Sequence, residues 1–132
     1  MLELRTLLRL QTVFAALSLG YLVISLLRRE MTGEALSAAA IGPSIAMFIA
    51  YLGVLYIGKI GKVDWYRLGM IPALVLFGGG GVIANVLRFM DSGLENYASN
   101  SAFAVAVAIN GFGTVLNFIA LLGLFRTAPS TD

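Results

Sequence analysis

The amino-acid sequence predicts an all-α membrane protein, an up-down-up-down bundle of four transmembrane helices forming one domain over residues 1–132. Three observations carry that prediction. Composition is the first: 59% of the residues are hydrophobic and 12% charged, against about 25% charged in an average soluble domain, and mean hydropathy is +0.91. The second is four continuous apolar runs, each close to the roughly 20 residues of helix that cross a hydrocarbon core of about 30 Å. The third is charge placement, since all nine Lys and Arg and all seven Asp and Glu lie at the ends of those runs or between them. Spanning β-barrels alternate apolar and polar residues over short strands, and these runs do not.

The first run, Leu10 to Leu27 and reaching back to Leu7, predicts a helix over 7–27. It exceeds the 7–15 residues of a typical signal-peptide core, lacks a small-x-small cleavage site and closes on Arg28 and Arg29. It therefore reads as a retained membrane helix. The short connection Arg28 to Glu34 makes the next helix, 38–57, its antiparallel neighbour. Gly42-Pro43 lies in the first turns of that helix, where proline either kinks it or marks its true start. Gly58 and Gly61 suit its end, while Trp65 and Tyr66 suit an interfacial anchor before the third helix, 68–87. Within that helix Gly78, Gly79, Gly80 and Gly81 run consecutively. Such a run allows close helix packing, and it also permits local unwinding of the kind found in the broken helices of transporters. The longest connection, Arg88 to Ser101, mixes Phe89, Met90, Leu94 and Tyr97 with Asp91, Glu95 and Asn96, the pattern of a short surface-lying helix. The fourth helix covers 102–125, and the polar tail Thr127 to Asp132 is expected to fray.

Basic residues set the expected orientation. Arg5, Arg9, Lys59, Lys62, Arg67 and Arg126 fall on one side, and Arg28, Arg29 and Arg88 on the other. Both termini are then expected to be cytoplasmic.

Polar residues within the runs recur every seven positions, which aligns them on one face of a helix. Gln11, Ser18 and Ser25 form one stripe, and Ser37, Ser44 and Tyr51 a second. Asn110 and Asn117, with Thr114 between them, form a third, and Gly78 and Asn85 repeat the interval in the third helix. Polar groups in hydrocarbon seek partners, so these faces should turn inward. They act either as helix-helix glue or as the lining of a polar cleft. In the second case Gln11, Ser44, Tyr51, Asn85, Asn110 and Asn117 are the candidate ligand-binding residues. Candidate helix-packing residues are Gly78, Gly79, Gly80 and Gly81 with the small-residue ridge Ala104, Ala108 and Gly111.

Much chemistry is excluded. There is no histidine and no cysteine, so Ser-His-Asp and Cys-His arrangements are impossible. The commonest metal and haem ligand is also missing, and neither metal nor cofactor is expected. No carboxylate sits within a run, which disfavours proton-coupled transport. No Lys-Ser or Lys-Thr follows the glycines, so a phosphate loop is unsupported. A net charge of +2 with no basic face argues against nucleic acid. Arg88, Asp91 and Glu95 read as an exposed surface cluster.

Leu76-Phe77-Gly78-Gly79, Asn85-Val86-Leu87 and Asp91-Ser92-Gly93 resemble the third-helix signature of a family of small bacterial four-helix integral membrane proteins of unknown function. Ala50-Tyr51-Leu52-Gly53 is similar to that family's tyrosine-glycine pattern in helix two. The resemblance implies the four-span layout and a bacterial inner-membrane location, and no activity. The family pattern has an arginine before the tyrosine, another in helix three and an acidic residue in helix four. This chain has apolar residues, Asn85 and Asn110 in those places.

By elimination, the expected function is non-enzymatic: an accessory or assembly subunit packing against other membrane-protein subunits, or self-associating, in the lipid bilayer. The alternative is a small transporter or binding protein for a neutral or lipophilic small molecule.

Overall fold

The computed structural model describes residues 2–33, 41–93 and 100–127. Ser37, the segment Leu94 to Tyr97 and most of the tail lie outside the described residues. Among the described residues there are four helices: α1 (Leu4–Thr32), α2 (Ile41–Lys59), α3 (Val63–Ser92) and α4 (Asn100–Leu122). All four are long and apolar enough to cross a membrane.

α1 and α3 extend beyond their apolar runs at both ends because backbone bonding continues under polar side chains, whereas α4 stops at Leu122, short of the expected 125. α1 carries Arg28 and Arg29 inside its last turns and ends at Gly33, whose N–H donates to the Arg29 carbonyl at 2.8 Å. α2 and α4 end alike. Gly61 (φ 95°) and Gly123 (φ 72°) adopt the left-handed conformation that favours glycine. Gly61 N–H donates to the Gly58 carbonyl at 3.2 Å and Lys62 N–H to that of Ile57 at 3.1 Å. At the end of α4, Gly123 N–H donates to Ala120 at 3.1 Å and Leu124 N–H to Ile119 at 3.0 Å. Both pairs are Schellman motifs, which satisfy carbonyls the helix leaves open. Arg67 adds a further bond, its Nε donating to the Leu121 carbonyl at 3.0 Å.

α3 is not uniform. It is α-helical over Val63–Ala73 and Ala84–Ser92, with a π-helical stretch over Leu74–Ile83 between them. Pro72 precedes the change. It removes the N–H that would bond the Leu68 carbonyl, and its ring crowds that carbonyl. The wide coil then contains all four glycines, helical throughout rather than unwound. Phe89 to Ser92, expected in a surface-lying helix, continue α3.

α1 packs on α2 and α4, and the first part of α3 packs on the same two helices. Beyond Pro72 the π stretch packs closely on α4 and less closely on α2, which it meets through Phe77. The chain ends meet, Leu4 N–H donating to the Arg126 carbonyl at 2.7 Å and Arg126 N–H to that of Leu2 at 2.8 Å.

The core is built on aromatics. Phe14, Phe48, Tyr51 and Phe77 contact one another, with Phe48 stacked on Phe77 at 4.5 Å and the Phe14 ring edge-on to the other three. Three glycines admit bulky partners. A side chain at Gly113 would collide with the Phe14 ring, one at Gly58 would lie 2.8 Å from the Tyr66 ring, and one at Gly69 would lie 2.7 Å from Val54. In α4 the buried small residues are Ala102, Ala106, Gly113 and Ala120. Ala104 and Ala108 face outward, and Gly111 is half-buried with nothing near its missing Cβ.

Large apolar side chains cover the outside, including Ile24, Ile49, Val75, Val115 and Phe118. Gln11, Ser18, Ser25, Asn85 and Asn117 are buried inside. This distribution inverts that of a soluble bundle.

Gly113→Ala is expected to destabilise the fold by about 1–3 kcal/mol, because the methyl overpacks against Phe14. Gly79→Ala, which meets nothing within 4 Å, should be neutral or stabilising by up to about 1 kcal/mol. Thermal unfolding of both variants in one detergent checks the contrast.

Candidate functional site

The sequence-predicted polar residues separate into two groups. Gln11, Tyr51 and Asn117 meet in a packed cluster together with Tyr66, one residue from each helix. Gln11 Nε2 donates to Asn117 Oδ1 at 3.0 Å, and the Tyr51 hydroxyl donates to the same oxygen at 2.6 Å. The Tyr66 hydroxyl donates to Gln11 Oε1. Gln11 Nε2 also lies 3.4 Å from Met70 Sδ. Gln11, Asn117, Tyr66 and Met70 are all fully buried. Tyr66 was expected beside Trp65 at an interface. It enters the core because Gly58 leaves its ring room, while Trp65 stays exposed.

Buried amides and hydroxyls without partners are costly, so this mutual satisfaction stabilises one arrangement of the four helices. Only Asn117 Nδ2 lacks a partner within the cluster. None of these four residues is among those lining the cleft described below, and their mutual bonds join the helices.

Ser44, Asn85 and Asn110 are elsewhere. They line a cleft of about 200 Å³ where α2 and the π stretch of α3 diverge. The stacked pair Phe48 and Phe77 forms its base towards the polar cluster, and Leu22, Met47, Leu76 and Ile109 supply apolar walls. Gly80 and Gly81 line it with bare backbone. Gly80, one of the lining residues, is exposed.

The glycine run has two uses. Gly78 and Gly81 face α4, where an added Cβ would touch Thr114 at 3.4 Å or collide with Asn110. Gly79 and Gly80 face open space. Asn85 Nδ2 donates to the Gly81 carbonyl at 2.7 Å, and Asn110 Nδ2 to that of Ala106 at 2.8 Å. Thr114 donates to the Asn110 carbonyl at 2.7 Å. These are bonds within one helix, so both asparagines satisfy their amide donors locally and leave the carboxamide oxygen for another partner. Arg88 Nη1 takes up that of Asn85 at 3.2 Å.

Three polar lining residues escaped the sequence reading of a binding site. Arg88, expected in an exposed cluster, is half-buried against the cleft. Tyr21 lines it and donates to the Ala102 carbonyl at 2.9 Å, tying α1 to α4. Ser18 belonged to the seven-residue stripe, a signal sufficient to find it. Its hydroxyl is buried and, among the described residues, bonds to nothing.

Among the described residues no three His, Cys, Asp or Glu side chains gather as a metal site. Comparison with protein families, curated proteins and solved structures finds no match.

Coupling across the polar cluster is directly measurable. Gln11→Leu and Asn117→Leu should each destabilise by about 1–3 kcal/mol, since each leaves buried partners unpaired. The double variant should fall short of their sum by about 0.5–2 kcal/mol. A double-mutant cycle by denaturant unfolding in mixed micelles tests this; strict additivity would show that the two carboxamides do not interact.

Proposed function

We propose that this chain is a non-enzymatic integral membrane protein, an up-down-up-down bundle that holds a small neutral or lipophilic molecule between its helices. The observation that carries the reading is the cleft. In a bundle with an apolar exterior, polar side chains converge on a space between α2 and α3. Polar groups at membrane depth are expensive, and they concentrate where a bundle meets substrate or water. Pockets between helices, mostly apolar with a few polar groups, are common ligand sites.

The up-down order is supported by Gln11 meeting Asn117, by the paired chain ends and by the short α2–α3 connection. The excess of Lys and Arg around that connection and the termini supports a cytoplasmic location for both ends.

A second reading, an accessory subunit that packs on other membrane proteins or on itself, is favoured by one feature. Ala104 and Ala108 present small side chains outward from α4, although small residues are also needed inside it. Outward small residues allow close approach of another helix.

The cysteine-free sequence makes topology simple to test. Lys62→Cys should react with an impermeant maleimide only from the cytoplasmic side, and Arg29→Cys only from the opposite side. The reverse pattern overturns the orientation.

Native mass spectrometry after gentle extraction tests the function. The wild type should carry a stoichiometric non-lipid molecule that Gly80→Leu loses and Ala108→Leu retains. Emergence as a ligand-free oligomer or complex, dissociated by Ala108→Leu, would instead establish the subunit reading.

A further inference from the structure

Resting on the ligand-binding reading, we infer that the cleft takes an uncharged ring compound carrying a hydroxyl or carbonyl oxygen, held by the Ser18 hydroxyl. Three observations converge on this class.

The first is the orphan hydroxyl. Helical Ser and Thr commonly donate to the carbonyl four residues back. Thr12, Thr32 and Thr114 do so here, at 2.8, 2.7 and 2.7 Å. Ser18 does not: its Oγ is buried, lies in a residue lining the cleft, and has no partner among the described residues. Ser18 is only 5% exposed. A buried hydroxyl left unpaired costs about 1–3 kcal/mol. Turned about χ1 towards the cleft, this hydroxyl donates to a ligand oxygen and that cost is removed, whereas a purely apolar ligand offers it no partner.

Size and shape are the second observation. A cavity of about 150 Å³ accepts benzene, and this cleft is about 200 Å³. Its volume suits one ring with small substituents. The stacked rings of Phe48 and Phe77 provide an aromatic surface, and Gly80 provides a side-chain-free flank. Aromatic partners prefer such offset or edge-on contacts.

Charge is the third. Among the described lining residues there is no Asp or Glu to serve as counter-charge for a cation. Arg88 is the lining cation, and its Nη1 donates to Asn85 Oδ1. The remaining lining is predominantly apolar, which disfavours bringing a second charge inside.

Three fluorinated probes of matched shape separate the possibilities: 4-fluorophenol, fluorobenzene and 4-fluorobenzoate, followed by ¹⁹F NMR with the full-length protein in micelles. Gly80→Leu, which adds a bulky side chain to a residue lining the cleft, serves as the blank for micelle partitioning. The expected result is that 4-fluorophenol binds about 2- to 10-fold tighter than fluorobenzene, the range of one net hydrogen bond. Ser18→Ala should abolish that preference while leaving fluorobenzene binding unchanged. Equal binding of the phenol and fluorobenzene, with both lost in Gly80→Leu, would overturn the ligand class and leave the binding reading standing. Strongest binding by 4-fluorobenzoate, lost in Arg88→Gln, would overturn it in favour of an anion site. Wild-type signals identical to the Gly80→Leu blank for all three probes would overturn both the class and the binding reading.

Discussion

One shared oxygen organises this bundle. Asn117 Oδ1 accepts from Gln11 and from Tyr51, and Gln11 in turn accepts from Tyr66, so four helices converge on a single network. Lipid tails are as apolar as leucine, so burial of apolar surface gives helices in a bilayer little reason to prefer one register. A slide or rotation of any helix here would strand a donor or acceptor in a dry interior. The network thus supplies specificity that the aliphatic surface lacks. Once that register is set, Phe14 falls opposite Gly113 and Phe48 opposite Phe77.

The same network determines what the interior can do. Residues bonded to one another offer little to an outsider, so the carboxamides of Gln11 and Asn117 are spent on structure. Side chains whose bonds are local or missing keep polar atoms for other partners. Asn110 bonds its own helix, and Ser18 bonds nothing among the described residues. Two asparagines seven residues apart on α4 therefore play different parts: Asn117 joins helices, and Asn110 lines a space.

The spacing of polar residues made the inward faces legible before any coordinates, because positions seven apart share a face whatever their partners. Gln11, Ser18 and Ser25 are all buried, as that stripe predicts. The pairing of one helix's stripe with another's was not legible, since it depends on tilt and divergence. Tyr66 shows why. Next to Trp65 in a basic connection it has every mark of an interfacial residue, and only the absence of a side chain at Gly58, across the turn, lets its ring inside. Arg88 was misplaced for a similar reason: an arginine at the end of an apolar run looks solvated until the neighbouring helix is drawn beside it. The glycine run was ambiguous because glycine tolerates both packing and unwinding. The wide coil that resulted reflects Pro72 upstream as much as the glycines themselves.

That wide coil also has a consequence for phase. A π turn accommodates about one residue more than an α turn of about 3.6 residues, so it acts as an insertion absorbed without breaking the helix. Everything after it is rotated relative to everything before it. Restoring a single turn of Leu74–Ile83 to α geometry would swing Asn85 and Arg88 about 100° around the α3 axis, while Tyr66 and Met70 kept their places. The half of α3 that locks the bundle and the half that lines the cleft are geometrically decoupled. Deleting one residue from the glycine run would therefore let that turn revert to α geometry while Asn85 and Arg88 kept facing the space they line.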